Sequence, residues 1–151
     1  VDVASIELEA TTEALAPAVH RTLQPVRQAL DPAQAWERRG FFPDLNWTGG
    51  DAAVSDLAWP VPPSARWLVV ELHPARPHTA DAGALGLRVM VNGLELAPAP
   101  PQGGSPAFRL YSGLERIEEV RILSSTFVPR EKTGAADDRK LGVPVKLLRL
   151  S

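Results

Sequence analysis

Fifteen prolines and eleven glycines punctuate this chain of 151 residues. Proline fixes φ and lacks a backbone donor, and glycine admits positive φ, so both mark where regular elements stop. Such residues recur here between short β-branched runs, a pattern that predicts many short strands joined by turns. There is no alternation of strand and long helix of the kind that builds a parallel sheet, and no internal repeat. The length fits one domain with a substantial core.

The strongest local signal is Asn92 followed by Gly93, set between the alternating runs 87–91 and 94–96. Both central positions of a type I′ turn need positive φ, which this dipeptide tolerates, so the stretch predicts a hairpin. Residues 66–73 form the clearest strand, with Leu68, Val70 and Leu72 on one face and Trp67, Val69 and Glu71 on the other. Residues 3–9, 52–57, 108–111, 117–123 and 142–150 read as further strands. In the last of these Val143, Val145 and Leu147 share one face, and Leu148 and Leu150 lie on the other. About eight strands predict an all-β fold, an antiparallel β-sandwich of jelly-roll type. Trp59, Pro60, Val61, Pro62 and Pro63 should form a stiff connector, and residues 97–106 a Pro/Gly loop, because prolines leave gaps in a hydrogen-bonded ladder. Towards the N-terminus Leu15, Val19, Leu23, Val26 and Leu30 recur at helical spacing, broken by Pro25. Residues 1–39 are therefore expected to give a strand and a helical or extended arm packed on the sandwich, and residues 40–151 the sandwich itself, within a single structural domain.

The formal net charge of −2 comes without a concentrated basic face, which argues against nucleic acid as a partner. The lack of cysteine excludes a disulfide scaffold and any Cys-ligated metal. No run is long and apolar enough for a membrane-spanning helix, and the first residues carry no signal-peptide pattern. Strand-like runs close to both ends suggest a fragment of a longer protein. His20, His73 and His78 are too scattered to form a metal triad. Asp44, Asp51, Asp56, Asp81, Asp137 and Asp138 could supply oxygens to a structural calcium, but they lack EF-hand spacing, and no cofactor is expected. The sequence carries neither a nucleophile elbow nor a phosphate-cradling glycine loop, so it reads as non-catalytic.

Two regions hold chemistry that could bind. Trp47 and Trp59 lie in Gly- and Pro-rich stretches, where an exposed ring would stack on the apolar face of a sugar. Asp44, Asn46, Asp51 and Arg130 would then take the sugar hydroxyls. The densest mixture of charge and turn residues falls in 124–150, which holds Phe127, Arg130, Asp137, Asp138 and Arg139. Phe127 is expected to plug one end of the sandwich. Asp138 and Arg139 are expected to brace the loop, since a guanidinium can bridge an aspartate and a loop carbonyl.

Several of these motifs together resemble a known family. They are Thr126, Phe127, Val128 and Pro129, followed by Asp137, Asp138, Arg139, Lys140, Leu141, Gly142 and Val143. Upstream stand Phe41, Phe42 and Pro43, the run Asn46, Trp47, Thr48, Gly49, Gly50, Asp51 and Ala52, and then Val91, Asn92 and Gly93. Over residues 40–150 the pattern is similar to the β-sandwich accessory domains of bacterial glycosyltransferases and cell-surface glycan-synthesis proteins. The resemblance implies a non-catalytic module that binds or faces carbohydrate, extracytoplasmic or at the cell surface. Its partners would be an oligo- or polysaccharide and a parent or partner catalytic domain. The alternative is a structural module that docks on such a catalytic domain through an apolar patch around residues 15–30.

Overall fold

A computed structural model of the chain describes residues 28–35, 37–74, 85–134 and 136–151. These residues form twelve strands: β1 (Ala29–Leu30), β2 (Glu37–Phe41), β3 (Thr48–Ser55), β4 (Trp59–Pro60), β5 (Trp67–Leu72), β6 (Arg88–Val91), β7 (Leu94–Glu95), β8 (Pro98–Gln102), β9 (Ser105–Arg109), β10 (Arg116–Ile117), β11 (Val120–Leu123) and β12 (Val145–Leu150). Among the described residues a short helix, α1 (Pro129–Thr133), and a 3-10 turn at Pro32–Gln34 accompany the strands. One five-stranded sheet has the order β1-β12-β5-β9-β8, the other β2-β3-β11-β6-β7, and β4 pairs with β10 in a separate ribbon. Every pairing is antiparallel.

The two larger sheets share one core. Leu68, Val70, Phe108, Leu148 and Leu150 from the first pack in the same cluster as Val54, Val89, Val91, Val120 and Ile122 from the second. Burial of these alternating aliphatic faces is the main driving force for the all-β, sandwich-like arrangement, at roughly 25 cal/mol per Å² of apolar surface. The count of twelve strands exceeds the expected eight because β1, β2, β4 and β8 form where no strand is expected and the run 117–123 divides into β10 and β11, and the sheets stay open at their edges. Among the described residues no helix is long and apolar enough to cross a membrane.

The hairpin forms where expected. Asn92 and Gly93 adopt φ of 50° and 84° between β6 and β7. Asn92 does more than turn the chain: its amide donates to the Arg116 carbonyl at 2.8 Å and accepts from the Glu118 and Glu119 amides at 2.8 and 3.2 Å. Those bonds hold the break between β10 and β11, a stretch the alternation alone predicts as one strand.

Three other expectations change. Residues 98–102 are an edge strand, not a loop; at an edge only one side of the backbone needs ladder donors, so prolines are accommodated. The same prolines keep that edge from recruiting another strand. In β12 the register shifts between Val145 and Leu147, and this irregularity turns Val145, Leu148 and Leu150 inward together while Leu147 is only half-buried. Of the helical or extended arm expected within residues 1–39, the described part is largely extended, forming β1 and the start of β2 around the 3-10 turn. Leu30 pairs with Leu148 and enters the shared core, and Asp31 caps the 3-10 turn by accepting from the Ala33 amide at 2.9 Å. Strand 3–9, the periodic leucines and valines from 15 to 26, and His20, Trp36, His78 and Asp81 lie outside the described residues.

Candidate functional site

The excursion that leaves β11 and returns in β12 is built around a single bridge, Phe127 to Leu141. Both backbone bonds of that pair form, at 2.9 and 2.8 Å. The chain between them makes α1, ends it at Gly134 in the left-handed conformation, and is drawn back by the Arg130 amide donating to the Asp137 carbonyl at 2.9 Å. Side chains then lock the loop. Arg130 pairs with Asp138. Arg139 bonds Asp137 through Nε and Nη2, at 3.0 and 2.7 Å, and reaches Asp44 through Nη1 and Nη2, at 2.8 and 3.0 Å. Its guanidinium carbon lies 4.8 Å from the centroid of the Phe42 ring. The expected brace thus exists with different partners: Arg139 spans two aspartates and no loop carbonyl, and Asp138 serves Arg130.

Arg139 sets the electrostatics. Its hydrogen bonds hold the Asp137 carboxyl down at about 2 and lower that of Asp44 as well. A carboxylate whose folded-state pKa lies below its ordinary 3.8 stabilises the fold fully above that pH, and the contribution is lost as pH falls towards 2. The stability difference between the wild type and Asp137→Asn should therefore be largest near neutral pH and vanish on titration from 3.8 to 2. Denaturant unfolding at several acidic pH values measures it, and a difference that stays constant over that window would contradict the assignment.

Beneath this loop lies a second, smaller cluster of Trp47, Phe127 and Leu141 with Phe42 against it. Trp47 is 6% exposed and meets Phe127 edge-on, with centroids 5.6 Å apart at 61°. Phe127 is indeed buried at this end of the sandwich. Trp59, at 4% exposure, belongs to the main core. Burial removes both tryptophan rings from any sugar face in solvent, because each ring is spent on packing.

The expected polar partners are engaged within the chain. Asn46 is buried; its amide donates to Asp31 Oδ1 and to the Val145 carbonyl at 2.9 and 3.1 Å, and accepts from Arg38 at 3.1 Å. Asp51 takes a two-pronged contact from Arg121 at 2.9 and 2.7 Å, with Arg39 further off at 3.5 Å, and Arg121 holds its carboxyl below the usual range. The structure brings Asp44, Trp47 and Phe127 to one end, joined there by Asn46. Asp51 sits on the outer face of the second sheet, and Trp59 in the β4–β10 ribbon. Among the described residues no three His, Asp or Glu side chains converge as a metal site.

An open groove of about 520 Å³ lies elsewhere, between two turns. Pro62 and Pro63 wall one side, where the Ala65 amide closes a turn on the Pro62 carbonyl at 3.0 Å. Tyr111 and Ser112 form the other, where Leu114 closes on Tyr111 at 3.3 Å. Arg66 and Arg109 line the space between them. The turns are fixed to each other by backbone bonds, Val61 to Glu115 at 2.9 Å and Leu110 to Arg66 at 3.0 Å. Such bonding makes the groove preformed. Tyr111 is half-buried against the core, which fixes its ring. The expected connector 59–63 is corrected in its first part, because Trp59–Pro60 pairs with β10 as the two-residue strand β4 and leaves Val61 to Pro63 to connect; the opposing turn is distant along the chain, and nothing local announces that the two meet.

No protein-family model, no curated protein and no solved structure matches the chain.

Proposed function

We propose that this chain is a non-catalytic, glycan-facing binding module of jelly-roll type, part of a larger bacterial glycan-processing assembly outside the cytoplasm. The observation that carries the reading is the groove between the 62–65 and 111–114 turns. Its volume of about 520 Å³ falls within the roughly 300–1,000 Å³ typical of small-ligand sites. It combines a held aromatic ring, Tyr111, with a hydroxyl, Ser112, and two guanidinium groups. That combination suits a sugar, which offers a C–H face for stacking and a rim of polar groups. The rigid sandwich supplies a site that need not reorganise, so little ordering entropy opposes binding. The binding role moves from the Trp47 end, where the residues are consumed by packing and ion pairs, to this groove.

A titration of the protein against a broad panel of bacterial cell-surface polysaccharides tests the reading. At least one should bind, and Tyr111→Ala should weaken it by about tenfold or more while leaving the unfolding midpoint within a few degrees. A panel that stays blank, or a Tyr111→Ala variant with undiminished affinity, would refute it.

A further inference from the structure

Ten arginines fall among the described residues, and seven of them have a carboxylate within ion-pair distance: Arg39, Arg88, Arg116, Arg121, Arg130, Arg139 and Arg149. Arg38 donates to Asn46 instead. The remaining two, Arg66 and Arg109, both line the groove, and neither has a carboxylate partner among the described residues. Among the described residues no aspartate or glutamate lines the groove either. In a protein that neutralises its arginines so consistently, two uncompensated guanidinium groups in one concave site leave a local positive potential. Arg109 is also restrained, with its guanidinium carbon 5.2 Å from the centroid of the Trp67 ring. A cation held on an aromatic face keeps its N–H donors available at the rim and loses less entropy on binding.

We infer that the groove recognises an acidic saccharide, one whose ring packs on Tyr111 and whose carboxylate or sulfate is bound by Arg66 and Arg109. This rests on the glycan-facing reading above and adds the charge of the ligand. A planar guanidinium matches a carboxylate with two parallel hydrogen bonds and binds sulfate oxygens through the same donors. A neutral sugar would leave both charges unanswered. The positive groove sits on a chain of net charge −2, so the attraction is local to the site.

The test varies the ligand before it varies the protein. A galacturonic acid hexamer, its fully methyl-esterified form, a sulfated galactan hexamer and a polyglutamate peptide are titrated into the wild-type chain by calorimetry. Binding of an acidic hexamer, at least about tenfold weaker after esterification and falling steeply with added salt, is the expected result. Whichever of the uronate and the sulfated hexamer binds identifies the anionic group. Arg66→Gln and Arg109→Gln should each weaken that binding by about tenfold, and Arg66→Lys should recover part of it because it restores charge without the planar fork. Equal binding of the acid and the ester would overturn the inference while leaving the glycan reading intact. Polyglutamate bound as tightly as the hexamer would overturn it in favour of a general anion site. If none of the saccharides binds, the inference is overturned, and the polysaccharide panel above decides the glycan reading separately. Because esterification alters only the ligand, the result stands even where an arginine variant fails to fold.

Discussion

Trp47→Ala should destabilise the fold by about 3–5 kcal/mol, the usual range for truncating a buried large aromatic residue. For a domain of this size that lowers the melting temperature by roughly 10 °C. The ring is 6% exposed, and it forms the centre of the small cluster with Phe127 and Leu141. Its loss would leave a cavity that the surroundings cannot easily fill. The Trp47 amide and carbonyl are already tied to Asp44 and Phe42 at 3.2 and 2.7 Å, and its backbone bridges to Pro144. Phe127 would lose its edge-on partner, and with it the anchor of the 128–140 excursion. Trp47→Phe should recover much of the loss, because an aromatic edge contact can re-form. Thermal and denaturant unfolding of both variants measures the effect, and a Trp47→Ala protein within about 1 kcal/mol of the wild type would refute the packing role. The same variant separates two roles for this residue: a sugar-stacking tryptophan would lose affinity and keep its stability, whereas a packing tryptophan does the reverse.

How much of this was legible in the residues depends on whether the signal was local. The Asn92–Gly93 turn needs only two adjacent positive φ values, and it formed as expected. The alternation in β5 also held, with Leu68 and Val70 in the shared core. The inward face of β12 departs from simple alternation beyond Val145, because a register shift between Val145 and Leu147 resets which side chains face inward and no residue there signals it. The two tryptophans sit in stretches rich in glycine and proline, which ordinarily marks exposure. Yet Trp47 is buried against Phe127 and Leu141, and Trp59 is carried into the main core by the β4–β10 ribbon. Arg139 was legible as structural, but its partners were not. Asp137 is two residues away in sequence, while Asp44 comes from a separate loop before β3. The groove escaped for the same reason. Its two walls belong to segments distant along the chain that the β4–β10 ribbon, the β5–β9 pairing and the Val61–Glu115 and Leu110–Arg66 bonds bring together.

Gly40→Ala should cost about 3 kcal/mol, from two contributions that a second variant separates. Gly40 lies in β2 at an irregularity, where the partner of Arg39 is Ala53 but the partner of Phe41 is Thr48. Its φ is +79°, and a Cβ built there would stand 2.2 Å from the Asp51 carbonyl oxygen and 2.8 Å from the Ala52 Cα. Positive φ alone costs an alanine about 1–2 kcal/mol. The clash adds overpacking of about 1–3 kcal/mol, because the opposing atoms are backbone and cannot rotate away. Gly93 supplies the control: its φ is +84°, yet a Cβ there meets nothing within 4 Å. Gly93→Ala should therefore show the conformational cost by itself, about 1–2 kcal/mol. The difference between the two variants in denaturant unfolding isolates the steric part. Equal losses at both positions would mean that β2 and β3 separate freely, and the close approach would then not be needed to hold the edge strand. A larger loss at Gly40 should come with disturbance of Asp51, whose backbone receives the clash and whose carboxylate holds Arg121 and Arg39 on the outer face. The groove, walled by the 62–65 and 111–114 turns beside the other sheet, should keep its ligand affinity in any Gly40→Ala protein that remains folded.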